Sequence, residues 1–444
     1  MYLSKASLLL TSFVGLSCFA QNKIEFTEYD LDNGLHVILH EDHTTPIVTV
    51  SVMYHVGSKN ENPDRTGFAH FFEHLLFEGS ENIPRGKFSE YVENAGGVLN
   101  ANTSNDRTFY FENLPSNMLE TGLWLESERM LHAKVDIKGV ETQREVVKEE
   151  KRQRIDNQPY GSVVQEVMKR AYTVHPYKWP VIGSMEHLNA AQEADYIDFY
   201  KKYYVPNNAI LSIAGDLDIE KTKQLIQAYF GSIPKGTSAI PAVDDTEPPL
   251  KGEIRDTVYD NIQLPAVIQA YRIPANGTDD YYAVSMLAQL MSQGESSRLQ
   301  KKCVNESQSA MFVGAFPFAL EHSGVTLSFG ICTNETDPKD LENEIDKEFE
   351  KAQLELISDR EFEKLKNQIE NDFASSSSSI MGIAESLADY KMYLGDANLI
   401  NTEIDRYLKV TKEDIQNVAN KYFVKDNRVV LYYLPIEETE ESGK

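Results

Sequence analysis

The sequence predicts an α+β fold that is built twice, as two related domains in which helices pack on a mixed β-sheet. Two observations carry this prediction. Residues 202–213 resemble residues 421–432, and each segment follows an amphipathic helix and runs into a strand of alternating character. Between the two segments, residues 231–252 are rich in proline and glycine, a composition typical of a linker.

These boundaries divide the chain into a first domain at 24–230 and a second, homologous domain at 253–436, with a short acidic tail at 437–444. The predicted elements of the first domain are strands at 35–39 and 47–53, a buried helix at 68–77, a polar hairpin over 98–112 and a helix at 117–130. In the second domain we expect a strand at 263–272 and a helix at 280–291.

Charge and the N-terminus limit the classes of function. The net charge of −26 argues against a nucleic-acid partner, because phosphate binding requires clustered lysine and arginine. Residues 1–20 have a lysine, an apolar run too short to span a bilayer, and a small residue at the expected cleavage site, as in a secretory signal peptide. We find no later apolar run long enough to cross a membrane, so we expect an exported protein, periplasmic or secreted.

Cys303 and Cys332 are the cysteines that follow the predicted signal peptide. Neither belongs to a CxxC pattern, so a cysteine-based metal site is not expected. The sequence does not place them within bonding distance, and their pairing is left open.

The candidate catalytic and metal-binding residues lie in the predicted helix at 68–77. Its sequence FAHFFEHLLF is almost entirely large and apolar, so the helix must be buried, yet it carries His70, Glu73 and His74 on one face. Three ionisable groups on a buried helix are costly unless a partner satisfies them. A zinc ion would do so through the two imidazoles, and the HxxEH order is that of the inverted zinc peptidases, with Glu73 as general base.

A third zinc ligand is expected from a second helix, in the segment 140–154. In that segment Val140, Gln143, Val147 and Glu150 share one face at spacings of three and four residues. This periodicity gives Glu150 a modest preference over Glu149, which follows Val146 by three residues.

At these residues the chain resembles the pitrilysin family of inverted-motif zinc peptidases, which includes insulin-degrading enzyme and the mitochondrial processing peptidase. The resemblance extends over nearly the whole chain after the predicted signal peptide. The segments that carry it are 67–79, 100–103, 144–150, 175–183, 199–208, 215–216 and 297–299.

The resemblance implies one Zn²⁺ per chain, held by His70, His74 and Glu150, with Glu73 as the base. It implies the family's duplicated fold, in which two chains or two fused halves close around a chamber that admits peptides. Residues Asn100, Ala101, Asn102 and Thr103 match the edge strand along which a substrate peptide adds to the sheet. A plain polar hairpin is the alternative interpretation of this segment.

Two departures from the family pattern matter. A glutamate that often supports the zinc site is replaced here by Gln143. The Arg and Tyr that complete the site from the second domain correspond to Val304 and Met311, which cannot donate to a substrate oxyanion. We therefore predict a zinc endopeptidase that needs a homologous partner chain, a heterodimer rather than a homodimer. The alternative is a non-catalytic peptide-binding or scaffold subunit.

Overall fold

The computed structural model describes residues 23–244, 246–376 and 379–436. The strands are β1 Thr27–Asp30, β2 His36–Glu41, β3 Ile47–Tyr54, β4 Val98–Thr103, β5 Thr108–Pro115, β6 Ala209–Gly215, β7 Ile254–Asp260, β8 Ala266–Ile273, β9 Ala310–Ala319, β10 Gly324–Cys332 and β11 Arg428–Pro435. The predicted signal peptide at 1–20 and the acidic tail at 437–444 lie outside the described residues.

The helices of the first half precede residue 231, and those of the second half follow residue 278. They are α1 Phe68–Leu75, α2 Phe88–Asn94, α3 Leu119–His132, α4 Ile137–Lys151, α5 Val163–Ala171, α6 Met185–Ala190, α7 Glu193–Tyr203, α8 Ile219–Phe230, α9 Asp279–Ser292, α10 Pro338–Leu354, α11 Asp359–Ser376, α12 Ile380–Leu394, α13 Leu399–Thr402, α14 Ile404–Lys409 and α15 Lys412–Tyr422. Wider π-helical turns occur at Arg152–Asp156 and Gln300–Glu306.

The strands form two mixed sheets whose order shows the duplication. The first sheet has the order β1-β2-β6-β3-β5-β4, and the second has the order β7-β11-β8-β10-β9. Each sheet contains one parallel pair, β2 with β6 and β7 with β11, and its other pairs are antiparallel. The similar segments 202–213 and 421–432 both fold as the end of a helix, a 3₁₀ turn and the start of the strand β6 or β11. The predicted α+β duplicated fold is therefore confirmed.

Each sheet is covered on one face by the helices of its own half and on the other by a helix of the opposite half. Helix α12 buries Ile383 and Leu387 against the first sheet, in a cluster with Met53 and Phe109. Helix α5 of the first half packs in the same way against the second sheet, where it shares an apolar cluster with residues of β8, β10 and β11. Because each fully buried aliphatic or aromatic side chain contributes about 1.5–3 kcal/mol, this exchange of helices ties the halves together.

A buried ionic cluster also joins the halves. Lys59 Nζ, only 4% exposed, lies 3.1 Å from Asp106 Oδ1 and also contacts the carboxylate of Glu321 from the second half. His55 Nε2 lies 2.8 Å from Glu321 Oε2. The backbone N–H of Glu321 donates to Asp106 Oδ2 at 3.0 Å, so Asp106 bonds to both halves.

The two cysteines lie buried in the second half and are not bonded to each other. Burial raises the pKa of Cys303 to about 12 and that of Cys332 to about 11, so both remain protonated thiols at neutral pH. Among the described residues we find no helix with the length and apolar character needed to cross a bilayer.

Candidate metal centre

Helix α1 begins at a glycine because the backbone there is both left-handed and crowded. Gly67 has φ of 94°, and a Cβ atom on it would lie 2.7 Å from the carbonyl oxygen of Ile182. Gly183 lies directly across this contact, where a Cβ would meet the carbonyl oxygen of Thr66 at 2.4 Å. The two glycines belong to separate segments of the sequence, and their contact fixes where α1 enters the fold.

The N-terminus of α1 is capped by a side chain from upstream. The carboxylate of Glu61 accepts hydrogen bonds from the backbone N–H of Gly67 and of Ala69, both at 2.8 Å. Glu61 is only 6% exposed, so these bonds hold the first turn of α1 in a fixed place. No signal in the sequence identified Glu61, because it lies seven residues before the first residue of the helix.

The apolar side of α1 packs against α7. Phe68 stacks on Tyr196 with ring centroids 4.6 Å apart, and Phe72 stacks on Phe199 at 5.7 Å. These contacts leave His70, Glu73 and His74 on the opposite face, at the i, i+3 and i+4 spacing that brings helical side chains together.

Helix α4 carries the third candidate ligand, Glu150, to this face. The carboxylate of Asp136 caps α4 by accepting the Gly139 N–H at 2.8 Å, and Val140 and Val147 are fully buried. Glu150 lies on the same side as the two valines. Glu149 is exposed and its carboxylate binds Arg152 at 2.6 Å, away from the histidines.

Three ligand atoms converge between α1 and α4. His70 Nε2 and His74 Nε2 lie 3.4 Å and 3.0 Å from Glu150 Oε2, and the three donors lie within 4.8 Å of one another. The side chains are 10%, 23% and 14% exposed for His70, His74 and Glu150 respectively, so the centre is recessed but open to solvent. The rings of His70 and then His74 hold the pKa of Glu150 far below its ordinary value.

The donor set fits a zinc ion. Two imidazole nitrogens and one carboxylate oxygen are the ligands of many catalytic zinc sites, which keep a fourth position open. Glu150 Oε2 is buried and makes no hydrogen bond with any described residue, although two imidazoles face it. A buried carboxylate oxygen without a hydrogen bond is costly, and a cation between the three atoms would remove that cost.

The other oxygen of Glu150 is held by a cation. Arg154 Nη1, on the π-helical turn that follows α4, lies 2.7 Å from Glu150 Oε1. With Oε1 in this contact, Oε2 is the oxygen of Glu150 that faces the histidines. Arg154 is absent from the sequence prediction, although its i+4 spacing from Glu150 is an ordinary signal for a helical ion pair.

Gln143 is placed beside the centre but contacts none of its three ligands. Its Nε2 donates to Glu78 Oε1 at 2.5 Å, and Glu78 Oε2 pairs with Arg85 at 2.8 Å. Arg85 in turn binds Asp136, the cap of α4, at 2.7 Å. This chain of contacts ties the segment after α1 to the start of α4, so Gln143 supports the relative position of the two helices.

Glu73 is half-buried, and its carboxylate makes no hydrogen bond or ion pair with any residue of the described ranges. The phenols of Tyr110 and Tyr204 lie close enough to Glu73 for its charge to contribute to their raised pKa values, although burial contributes most. Glu73 therefore presents an uncommitted carboxylate on the face that holds the two histidines.

Residues Asn100, Ala101, Asn102 and Thr103 lie on β4, the edge strand of the first sheet. Ala101 pairs with Tyr110 and points to the buried side, whereas Asn100 and Asn102 are exposed. Arg107 Nη1 donates to Asn102 Oδ1 at 2.8 Å. One side of β4 is paired with β5, and the other presents backbone groups to a further strand.

Val304 and Met311 lie in the second half, on the π-helical turn and on the edge strand β9 respectively. Val304 packs at the margin of the second core, and Met311 is 65% exposed. Neither side chain has a polar hydrogen-bond donor.

A fully buried ion cluster supports the region beneath α1. Arg129 Nη2 lies 3.1 Å from Glu112 Oε1 and 3.1 Å from Glu126 Oε1, and the three side chains are 0% exposed. The guanidinium also lies over the ring of Tyr110 at 4.2 Å. Burial, and then the charge of Glu126, raise the pKa of Glu112 well above its ordinary value. Local sequence patterns do not predict this cluster, since its members come from β5 and α3.

Comparisons with known proteins agree with this geometry. Residues 36–184 match the insulinase family (peptidase family M16), and residues 191–369 match the peptidase M16 inactive domain. The chain is similar to the zinc protease PqqE of Helicobacter pylori, 32% identical over 97% of this chain and 98% of that protein. It is 25% identical to the beta subunit of the yeast mitochondrial-processing peptidase, over 88% of this chain and 87% of that protein. A crystal structure of an H. pylori protease superimposes with a TM-score of 0.88 and 31% identity, covering 93% of this chain and all of that one.

Proposed function

The chain belongs to peptidase family M16, and from this premise we propose that it is a zinc-dependent endopeptidase for peptides or unfolded segments. The observation that carries the proposal is the convergence of His70, His74 and Glu150 within 4.8 Å, beside an uncommitted Glu73. In this proposal residues 24–230 form the catalytic domain, and residues 253–436 form a homologous domain without zinc ligands.

His70, His74 and Glu150 would hold one zinc ion per chain. Zinc supplies Lewis-acid chemistry when it is bound: it polarises a peptide carbonyl and makes a water molecule more acidic. Arg154 keeps Glu150 Oε1 engaged, so that Glu150 offers a single oxygen. Gln143 is proposed to act at a distance, by fixing α4 relative to α1 through Glu78.

Glu73 is the proposed general base. Its carboxylate lies on the same helix face as the two imidazoles and has no competing partner among the described residues. It would accept the proton of the attacking water and then return that proton to the leaving amine, as a base and acid within hydrogen-bond reach of the reacting atoms.

The edge strand β4 is the proposed site for the substrate backbone. A peptide in extended conformation would pair with residues Asn100, Ala101, Asn102 and Thr103 and so extend the first sheet. Main-chain pairing favours unfolded segments over folded proteins, because a folded protein does not release a strand of its own at low cost.

A partner chain is proposed to complete the site. The two positions that match the family's Arg and Tyr hold Val304 and Met311, so this chain lacks those donors for a developing oxyanion. One relative, the beta subunit of the mitochondrial-processing peptidase, is by its name part of a larger assembly. We propose a homologous partner that supplies the Arg/Tyr pair, in a heterodimer rather than a homodimer.

A second candidate is a non-catalytic peptide-binding or scaffold subunit. The observation that favours it is again the Val304 and Met311 pair in the second half. The retained donor set at His70, His74 and Glu150 favours the enzyme, because a scaffold has no need of it.

The Glu73→Gln variant tests the function. We expect the wild-type chain and the variant each to bind one zinc ion, and the variant to lose roughly a hundredfold to ten-thousandfold of the peptidase activity measured with the partner present. A diverse peptide library provides the substrates, and metal analysis provides the control. If the zinc-loaded wild-type assembly cleaves none of these peptides, the scaffold is the correct interpretation. Full activity of the isolated chain would instead remove the need for a partner.

A further inference from the structure

A cleft of about 650 Å³ in the second half is lined mainly by cations. It lies where α11 and the end of α10 meet the segment 296–306. Its basic side chains are Arg298, Lys301, Lys302, Lys351, Arg360 and Lys364. They outnumber the acidic side chains of the cleft, although the whole chain carries a net charge of −26. The charge of the cleft is therefore opposite in sign to the net charge of the chain.

Ion pairs within the cleft account for only part of the positive charge. Arg298 Nε binds Glu361 Oε1 at 2.9 Å, and Lys351 Nζ binds Glu348 Oε1 at 2.6 Å. The third acidic residue, Glu306, lies no closer than 3.8 Å to a lysine of the cleft.

Two cations of the cleft have no acidic partner. Within residues 23–244, 246–376 and 379–436, neither Arg360 nor Lys364 has a carboxylate within 4.0 Å. Lys364 Nζ is instead held by Ser296 Oγ at 2.9 Å, so its charge is fixed at the cleft. Arg298 Nη1 is buried and makes no hydrogen bond among the described residues. The cleft thus retains uncompensated positive charge.

The form of the cleft favours carboxylates that are spaced along a chain over one compact phosphate. Compact phosphates are typically bound by free backbone N–H groups at a helix N-terminus or by a cluster of arginine forks. Here the start of α11 is already capped, because Glu361 Oε2 accepts the Ser358 N–H at 3.0 Å and Ser358 Oγ accepts the Glu361 N–H. Four of the six cations are lysines, which act as separate, flexible point charges.

The cleft adjoins a region already implicated in function. Lys301 and Lys302 lie on the same π-helical turn as Val304, and that turn leads into β9 with the exposed Met311. We propose that this cleft, in the second half of the chain, binds an acidic segment of a peptide ligand, a run of glutamate or aspartate side chains. The inference rests on the proposed function only in taking the ligand to be a peptide.

The test measures binding of a labelled hexaglutamate peptide to the full chain by fluorescence anisotropy, in the Glu73→Gln background so that no cleavage intervenes. The cleft variant combines Lys301→Ala, Lys302→Ala and Arg360→Ala. The matched control combines Lys221→Ala, Lys251→Ala and Lys347→Ala, three exposed lysines outside the cleft, and changes the net charge equally. We expect binding to weaken roughly tenfold or more in the cleft variant and less than about twofold in the control.

Equal weakening in the two triple variants would overturn the proposal, because the attraction would then be general. Displacement of the peptide by inorganic tripolyphosphate at far lower concentration than by unlabelled hexaglutamate would also overturn it, in favour of a phosphate site. Arg360→Ala alone, with an expected loss of about threefold, replaces the triple variant if that variant does not fold. Peptide cleavage without hexaglutamate binding would refute this inference alone, whereas binding without any peptidase activity in the assembly would refute only the proposed enzyme.

Discussion

The two halves of the chain share a strand order, yet only the first gathers a set of metal ligands among the described residues. Helix α1 follows β3 in the first half, and α9 follows β8 at the corresponding place in the second. Helix α1 has two histidines and a glutamate on one face, whereas α9 contains no histidine and buries nine of its side chains. The polar face of α1 meets Glu150 of α4, whereas α9 is buried in the apolar core of the second half.

The edge strands of the two sheets, β4 and β9, also differ in their exposed side chains. Strand β4 exposes Asn100 and Asn102 together with Val98, whereas β9 exposes Met311, Phe312 and Phe316 and has no exposed asparagine. A polar edge suits a peptide that must enter and leave, because its backbone pairs without a large apolar contact. The duplicated sheet has therefore kept its architecture while its two edges have diverged.

The strongest effect on zinc content is expected for a substitution of Glu150, with the neighbouring Glu149 as the control. Glu150→Ala should reduce the zinc content from one ion per chain to nearly none, since three protein ligands become two. Glu149→Ala, on the same helix, should retain one ion because its carboxylate binds Arg152 instead. Metal analysis after dialysis measures both. Retention of zinc by Glu150→Ala would refute the assignment of the third ligand.

The next prediction compares the buried arginine of each half. Arg129→Ala should lower the free energy of unfolding by about 3–5 kcal/mol, because it leaves the buried carboxyl groups of Glu112 and Glu126 without their shared partner. Arg428→Ala should cost less, since each of its acidic partners keeps another contact. Glu342 and Glu253 keep Arg255 at 2.6 Å and 2.8 Å, and Asp346 still accepts from Gln269 Nε2 at 2.7 Å. Urea denaturation of the two variants provides the measurement. A larger loss of unfolding free energy for Arg428→Ala would contradict the prediction that the buried ion cluster stabilises the first half more than the second.

A smaller effect on zinc affinity is expected for a substitution of Arg154, which contacts Glu150. Arg154→Ala should weaken zinc binding roughly tenfold, as the loss of an outer hydrogen bond to a metal ligand commonly does. Arg152→Ala is the matched control, because that guanidinium binds Glu149. Competition with a chromogenic chelator measures the affinity. Equal affinities for the two variants would mean that Arg154 does not orient the ligand.

The smallest predicted effect concerns pH at the junction of the halves. Burial opposes ionisation of Glu321, but its hydrogen bond to His55 and the charge of Lys59 outweigh burial and lower its pKa to about 2. A carboxyl whose pKa is lowered on folding adds stability above its ordinary value of 4.5, and that stability is lost as the pH falls toward 2. Glu321→Gln should therefore show a flatter decline of Tm over this window than the wild type. Identical Tm curves for Glu321→Gln and the wild type would mean that the junction cluster does not cause acid sensitivity.

Much of this arrangement follows from local sequence patterns. The resemblance between 202–213 and 421–432 predicted the duplication, because the same helix, turn and strand must recur wherever the same pattern recurs. The i, i+3 and i+4 spacing placed His70, Glu73 and His74 on one face for the same reason. Periodicity alone gave Glu150 only a modest preference over Glu149, since both spacings put a carboxylate near a valine.

The class of fold and the polar face of one buried helix follow from the sequence alone, because helical and strand periods are local properties of the chain. The tertiary structure decided which groups meet that face. It placed Glu150 beside the histidines and Glu149 in solvent, and it attached Gln143 to Glu78. These contacts join segments that are distant in the sequence, or choose between adjacent residues, and only the packing of α1 against α4 fixes them.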